Sequence, residues 1–198
     1  MRTVIYLCRH GEVYNPDKII YGRMPGFSLS EEGKKQAHTL GKHLAGKKLQ
    51  AIYASPLERA RETATIVASY QSIAASDIRF DKRLIEVNKP HFEGKPMADA
   101  QKIHWNYYTP LFNTQGGERM TDIWRRMDLA LRDIVHKHKG GEVAVISHGD
   151  PIMISRAKYA GKRLVIGSIR GEYYVPTAKG VALIYDEIDT IGVSDLIF

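Results

Sequence analysis

The chain has 198 residues, a single cysteine and a formal net charge of +7 at pH 7. This length favours one domain over residues 1–198, and the lone cysteine excludes an internal disulfide framework. No apolar stretch reaches the roughly 18 residues of a membrane helix, and none resembles a signal peptide. We therefore expect a cytoplasmic protein without a membrane partner. The positive charge favours anionic partners, but the scattered basic residues favour a small phosphorylated ligand over specific nucleic-acid binding.

The first third of the chain alternates strand and helix patterns. Residues 3–8 (TVIYLC) are rich in β-forming residues and predict a short buried strand. After a loop dense in Gly, Pro, Asn and Asp, Ser30 is a candidate N-cap for the first helix. A second strand is predicted over residues 49–55 and a second helix over residues 56–70, with Pro56 at its first position.

The second half of the chain continues the alternation. Residues 117–138 have apolar side chains at helical spacing and predict the most regular helix. Residues 142–150 (EVAVISHGD) predict a buried strand that runs into a turn, where Asp150 is expected to cap the next helix, and residues 180–188 predict the last strand. This order predicts an α/β fold, a three-layer α/β/α sandwich with a mostly parallel central sheet.

Three predicted strands are followed by polar side chains. Arg9 and His10 end the first strand, Arg59 lies early in the helix after the second, and His148 follows the third. Because the carboxyl ends of parallel strands meet at one edge of a sheet, we expect these four side chains to share a pocket. Guanidinium groups match phosphate oxygens, and Gly149 allows close approach of the backbone. The pattern predicts an oxyanion pocket and no metal site.

Five segments of the chain resemble, in order and spacing, motifs of the histidine phosphatase superfamily, the phosphoglycerate-mutase-like proteins. The segments are LCRHGE (7–12), YGRMPGFSLSEEGKKQA (21–37), YASPLERARETA (53–64), LIEVNKPHFEG (84–94) and VISHGDPI (145–152). The three residues of an RHG signature recur by chance, whereas five segments in this order are specific. The resemblance implies a phosphoglycerate-mutase-like fold and phosphoryl transfer through a histidine, without a cofactor.

The resemblance also implies a role for each matched residue. His10 is expected to be the nucleophile that takes the phosphoryl group. Arg9, Arg59 and His148 are expected to hold the phosphate oxygens. Glu86 is expected to act as the general acid for the leaving group and then as the base for water.

Four further positions are candidate substrate-binding residues, and some nearby positions depart from the family pattern. The four are Asn15, Gly22, Arg23 and Gly149. Asn15 lies one position earlier than the asparagine that many family members carry after the RHG signature. Pro90 stands where the family often has glycine, so we expect a differently shaped wall beside Glu86.

The short chain lacks a clear counterpart of the substrate-binding insert found in cofactor-dependent mutases, and this favours hydrolysis over mutase activity. We therefore expect a metal-independent phosphatase that hydrolyses phosphate monoesters through a phosphohistidine on His10, with a small phosphorylated metabolite as substrate. A cofactor-dependent phosphoglycerate mutase and a non-catalytic phosphate-binding module are the alternatives. The sequence leaves the oligomeric state open between a monomer and a homodimer.

Residues 88–118 interrupt the alternation and predict a helical, cap-like excursion from the domain. The aromatic side chains within residues 104–112 either pack this excursion onto the sheet, which we favour, or line the pocket and stack on a ring-bearing substrate. The apolar residues 196–198 predict a docked C-terminal tail.

Overall fold

The computed structural model describes residues 1–171, 173–187 and 189–195. Within these ranges one six-stranded sheet is built from β1 (Arg2–Arg9), β2 (Leu49–Ala54), β3 (Arg79–Phe80), β4 (Glu142–Ser147), β5 (Gly180–Asp186) and β6 (Asp189–Asp195). Their order across the sheet is β3-β2-β4-β1-β5-β6, with the first four strands parallel and β5 and β6 joined in antiparallel fashion. The mostly parallel sheet that the sequence predicts is confirmed.

Helices cover both faces of the sheet. They are α1 (Glu31–Leu44), α2 (Glu58–Ala68), α3 (Met97–Lys102), α4 (Pro110–Thr114), α5 (Met120–Lys137), α6 (Gly149–Tyr159) and α7 (Ile166–Arg170). The alternation of side chains along β1 shows the layers: Tyr6 and Cys8 pack with α1 and α2, whereas Ile5 and Leu7 pack with α5 and α6. The predicted three-layer sandwich is confirmed, and Cys8 is a buried thiol within it.

The predicted helix starts are correct at one position and wrong at two. Ser30 caps α1, since its side chain accepts a hydrogen bond from the backbone N–H of Gly33 at 2.9 Å. Pro56 lies two residues before α2, which begins at Glu58. Asp150 lies inside α6, whose N-cap is His148. The carboxylate of Asp150 is not free to cap the helix because it binds buried tyrosine hydroxyls and an arginine, described below.

The excursion between residues 88 and 118 contains the short helices α3 and α4 and its own small apolar cluster. Ile20, Phe92, Ala100 and Tyr107 form the buried part of that cluster, separate from the two cores that flank the sheet. The docked tail predicted for residues 196–198 lies outside the described residues. No helix in the described ranges is long and apolar enough to cross a membrane.

Candidate active site

The carboxyl ends of β1 and β4 and the first turn of α2 bring Arg9, His10, Arg59 and His148 together, as the strand pattern predicts. His10, Arg59 and His148 are 2%, 1% and 0% exposed. The ring centroids of the two histidines are 5.0 Å apart, and Nε of Arg59 lies 3.2 Å from Nε2 of His10. Two imidazoles and two guanidiniums thus share one buried region.

The surroundings of His10 fix its tautomer. Its Nδ1 lies 2.7 Å from the carbonyl oxygen of Gly11, which can only accept, so Nδ1 carries the proton. Nε2 therefore keeps its lone pair, toward which Arg59 donates. Burial, followed by the charges of Arg59 and neighbouring basic groups, holds the pKa of His10 well below its usual range. The result is a neutral imidazole with a nucleophilic nitrogen at a defined position.

The guanidinium of Arg59 also binds the backbone of Gly22. Its Nη2 donates to the Gly22 carbonyl oxygen at 2.8 Å, and its Cζ lies 4.8 Å from the centroid of the Tyr21 ring. Gly22 has a φ of +42°, and a Cβ at this position would lie 2.2 Å from a carboxylate oxygen of Glu93. Gly22 therefore positions Arg59 through its backbone, which only glycine allows here.

Arg9 and His148 each have a buried nitrogen that is not hydrogen-bonded within the described part of the chain. Nη1 of Arg9 donates to the Val175 carbonyl at 2.9 Å, but its Nε has no partner there. His148 lies with Nε2 2.8 Å from the Ser55 hydroxyl, and its Nδ1 is likewise unpartnered. Buried polar atoms are rarely left unsatisfied, so these two nitrogens point to a polar ligand at this site.

Glu86 is a carboxylate that lines the pocket beside these cations. It follows a short turn of 3₁₀ helix, and its Oε1 accepts a hydrogen bond from the Val87 N–H at 2.8 Å. Burial by itself raises the pKa of this carboxyl, but the charges of Lys89 and Arg59 outweigh that effect and hold the pKa at about 2. Glu86 is therefore ionised near neutral pH.

Two of the predicted substrate-binding residues do not face the pocket. Nε of Arg23 donates to the backbone carbonyl of Glu86, and its Nη2 donates to Glu118, both at 2.7 Å. The side-chain amide of Asn15 bonds to the backbone of Ile19 at both its oxygen and its nitrogen. Asn15 thus closes a turn, and Arg23 supports the loop that carries Glu86; the binding role expected for both residues stays a prediction.

A cavity of about 280 Å³ opens beside this cluster; Arg9 and Glu86 line it, whereas the buried His10, Arg59 and His148 do not. Its wall consists of Arg9, Ile20, Tyr21, Gly22, Glu86, Lys89, Met97, Trp105, Tyr107, Arg170 and Tyr174. Trp105 and Tyr107 of the excursion line the cavity, Tyr108 packs against the core beside the sheet, and Phe112 packs on Phe92 within the excursion. Stacking of these rings on a substrate stays a prediction. Arg170 and Tyr174 carry no sequence signal because they lie in a segment without a regular apolar pattern.

Gly149 is adjacent to this cavity but does not line it. A Cβ on Gly149 would lie 2.1 Å from the hydroxyl of Tyr174, which is part of the cavity wall. Glycine here makes room for a tyrosine side chain of the wall, and the close approach of its backbone to a ligand stays a prediction. Among the residues that the structure describes, no group of three or more His, Cys, Asp or Glu side chains is arranged to hold a metal ion.

The buried histidines predict a loss of stability in mild acid. His10 and His148 both have pKa values well below the usual range, chiefly through burial. Below pH ~6.5 the unfolded chain therefore binds protons that the folded chain does not, and the free energy of unfolding falls by up to about 1.4 kcal/mol per pH unit for each histidine. Urea unfolding at about pH 7.5 and about pH 5.5 measures this slope.

The variant His148→Gln isolates the contribution of His148 to the pH dependence of the free energy of unfolding. His43 and His138 also have lowered pKa values and add to the slope of the parent protein in the same direction. Replacing His148 should lower by about one the number of protons taken up on unfolding, and the contributions of the other histidines should remain. Identical slopes in the parent and the variant would contradict the neutral state of His148 in the folded protein.

Known proteins share both the sequence and the fold. Residues 5–166 match the family model of the histidine phosphatase superfamily (branch 1). The chain is 36% identical over 190 residues to the Mycobacterium tuberculosis protein Rv0525, covering 93% of this chain and 91% of the relative. It is 31% identical over 184 residues to an Arabidopsis thaliana protein named metal-independent phosphoserine phosphatase, covering 82% and 73%.

The fold is similar to that of a solved structure along almost its whole length. Bacillus stearothermophilus YhfR superposes with a TM-score of 0.83 at 30% identity, and the match covers 95% of this chain and 94% of YhfR. The matched region includes the strand ends that carry Arg9, His10 and His148, and the resemblance inferred from the five segments is confirmed.

Proposed function

Since the chain belongs to the histidine phosphatase superfamily, we propose that it is a metal-independent phosphatase that hydrolyses phosphate monoesters through a phosphohistidine on His10. The observation that carries this proposal is the neutral, buried His10, whose Nε2 lone pair lies within reach of the Arg59 guanidinium. A neutral nucleophile avoids the repulsion that a phosphate dianion exerts on an anionic one. The two unpartnered nitrogens of Arg9 and His148 are suited to phosphate oxygens.

The first step transfers the phosphoryl group to His10. As phosphate oxygens enter, the Arg59 Nε–H is redirected from Nε2 of His10 to an oxygen, which frees the lone pair for attack on phosphorus. The new N–P bond forms as the P–O bond to the leaving group breaks. Arg9 and Arg59 stabilise the charge on the transferring oxygens throughout.

Glu86 supplies and then recovers the proton. With a pKa of about 2 it is ionised before substrate binds. A phosphate dianion placed beside it is a like charge that raises this pKa, so Glu86 takes up one proton from solvent as the dianion binds and then passes it to the leaving oxygen. In the second step the Glu86 carboxylate takes a proton from water, the water oxygen attacks phosphorus, and phosphate leaves with regeneration of neutral His10.

The donor set at this site supports chemistry without a metal. Arg9, Arg59 and Lys89 already supply the positive charge that a divalent cation supplies in metal-dependent phosphatases, and they would repel such a cation. The cavity volume of about 280 Å³ lies near the lower end of the range for small-molecule sites and supports a small metabolite as substrate.

Hydrolysis of 4-nitrophenyl phosphate and a panel of small phosphate esters, with and without EDTA, tests the proposal. We expect turnover that EDTA leaves unchanged and that orthovanadate inhibits. Activity lost in EDTA and restored by Mg²⁺ would overturn the metal-independent mechanism. Binding of inorganic phosphate without hydrolysis of any ester would identify a binding module, and isomerisation of 3-phosphoglycerate only when 2,3-bisphosphoglycerate is added would identify a mutase.

A further inference from the structure

The part of the pocket wall that the proposed chemistry does not use is mostly aromatic and aliphatic. Trp105, Tyr107 and Tyr174 contribute rings, and Ile20 and Met97 contribute aliphatic surface. These side chains come from separate parts of the chain, namely the first loop, the excursion and the segment after α7. Their convergence on one cavity makes the wall a surface for the leaving group of the substrate.

Trp105 is held in place by its backbone and by a neighbouring cation. Its φ is +59°, and that of the preceding His104 is +49°, a conformation that residues with a Cβ rarely adopt and that clusters at ligand-binding positions. The Cζ atom of Arg170 lies 5.3 Å from the centroid of the Trp105 ring, within the range of a cation–π contact. The indole is therefore positioned before a ligand arrives.

Arg170 is itself anchored by Asp150. Its Nη2 donates to Asp150 at 2.6 Å, and the same carboxylate, only 1% exposed, accepts hydrogen bonds from the hydroxyls of Tyr174 and Tyr108. Arg170 also lies 4.5 Å from the centroid of the Tyr174 ring. Asp150 thus ties the excursion, α6 and the segment after α7 into one rigid wall, and its charge balances that of Arg170.

The charge of the rest of the pocket matches a single phosphate group. Arg9, Arg59 and Lys89 provide three positive charges, and Glu86 provides one negative charge, while both histidines are neutral. A phosphate monoester dianion neutralises the net charge of +2. Beside the rings, Arg170 has Asp150 as its counterion, and it therefore adds no net charge to the pocket.

The cavity has room for a leaving group with one ring. A cavity of ~150 Å³ in a protein interior is large enough to hold benzene. The cavity of about 280 Å³ therefore has room for a phosphate and about one ring of that size. Building on the proposed phosphatase function, we propose that the enzyme selects monophosphate esters whose leaving group is a single flat, uncharged ring, and that Trp105 is the specificity-determining residue that contacts it.

Binding of two phosphonates tests the subsite without depending on catalysis. Benzylphosphonate and butylphosphonate carry the same anion and cannot be hydrolysed, but only the first has a ring. At a pH where both are dianions, calorimetry should give benzylphosphonate a Kd about threefold to tenfold lower than that of butylphosphonate, since aromatic contacts contribute on this scale. Trp105→Leu should bring the ratio of the two Kd values close to one.

Three controls keep the result interpretable. Trp105→Phe should retain most of the preference for the ring, and Trp124→Phe, which changes a tryptophan packed on Tyr159 outside the pocket, should retain all of it. The Kd of inorganic phosphate should be the same in every variant, which also shows that each one is folded. An unchanged ratio in Trp105→Leu, or equal affinities in the parent protein, would overturn the subsite.

Turnover separates this inference from the proposed function on which it rests. Benzyl phosphate and butyl phosphate both release alkoxide-type leaving groups, so the chemical step should be similar for the two esters. Because only the benzyl ester has a ring for the subsite, the parent enzyme should have a lower KM for it. Preferential binding of benzylphosphonate without hydrolysis of either ester would overturn the phosphatase proposal and retain the subsite. Hydrolysis of both esters with equal KM, or a preference for an ester with a carboxylated leaving group, would retain the phosphatase and overturn the subsite.

Discussion

Replacing His10 with alanine is expected to lower kcat for ester hydrolysis by about 10⁴-fold or more, because the variant has no atom to which the phosphoryl group can be transferred. His10 is the neutral imidazole whose unprotonated Nε2 meets Arg59. Arg9, Arg59 and His148 remain in the variant, so binding of inorganic phosphate should change far less than turnover. Steady-state hydrolysis of 4-nitrophenyl phosphate in EDTA measures the loss.

A second measurement identifies the intermediate directly. Rapid mixing with a labelled ester followed by an alkaline quench should recover a phosphoryl group on the parent protein, since phosphohistidine survives base and is lost in acid, and none on His10→Ala. His138→Gln is a matched control: His138 is also a buried histidine, but it bonds to Tyr53 and Arg79 away from the pocket. Equal turnover by the parent and His10→Ala would remove His10 as the nucleophile.

The elements that position the reacting groups could be predicted because their signals are local. Two short apolar runs, β1 and β4, are each followed directly by a histidine, and parallel strands bring such ends to one edge of the sheet. The cap at Ser30 and the apolar stripe of α5 are equally local. Local patterns of this kind also give the layer order, since the alternating residues of β1 separate the two cores.

The wall of the pocket could not be predicted because it depends on long-range pairing. Asp150 follows a strand and precedes a proline, a pattern typical of a helix cap, but the fold brings Tyr108, Arg170 and Tyr174 to its carboxylate. These partners are 20 to 42 residues away in the chain. Arg23 is a similar case, since its half-buried guanidinium binds Glu118 and the Glu86 carbonyl oxygen, which are distant in the chain.

The same contacts show how Glu86 is held in the position from which we propose that it acts as acid and then as base. Arg23 binds its backbone carbonyl, Val87 donates to its side chain, and Lys89 and Arg59 keep its pKa at about 2. A carboxylate held this firmly ionised is a weak acid catalyst until an anion enters. In the proposed mechanism, protonation of the leaving group therefore depends on the presence of phosphate.

Glu86→Gln is accordingly expected to lower kcat for benzyl phosphate by about 10²-fold to 10⁴-fold, the usual contribution of a positioned acid or base. The loss should depend on the leaving group in a way that a merely structural defect would not. 4-Nitrophenolate leaves without protonation, so the variant should still be phosphorylated by 4-nitrophenyl phosphate at a rate near that of the parent. The phosphoenzyme should then persist, because no base remains to activate water.

Stopped-flow absorbance distinguishes these steps. With 4-nitrophenyl phosphate, Glu86→Gln should release about one equivalent of nitrophenolate per active site in a burst, followed by a slow steady state. Glu62→Gln, which alters a carboxylate that accepts a hydrogen bond from Leu29 outside the pocket wall, should behave like the parent. A uniform loss for both esters without a burst would assign Glu86 to substrate positioning, since a residue that acts only by transferring protons cannot slow a step in which no proton is transferred.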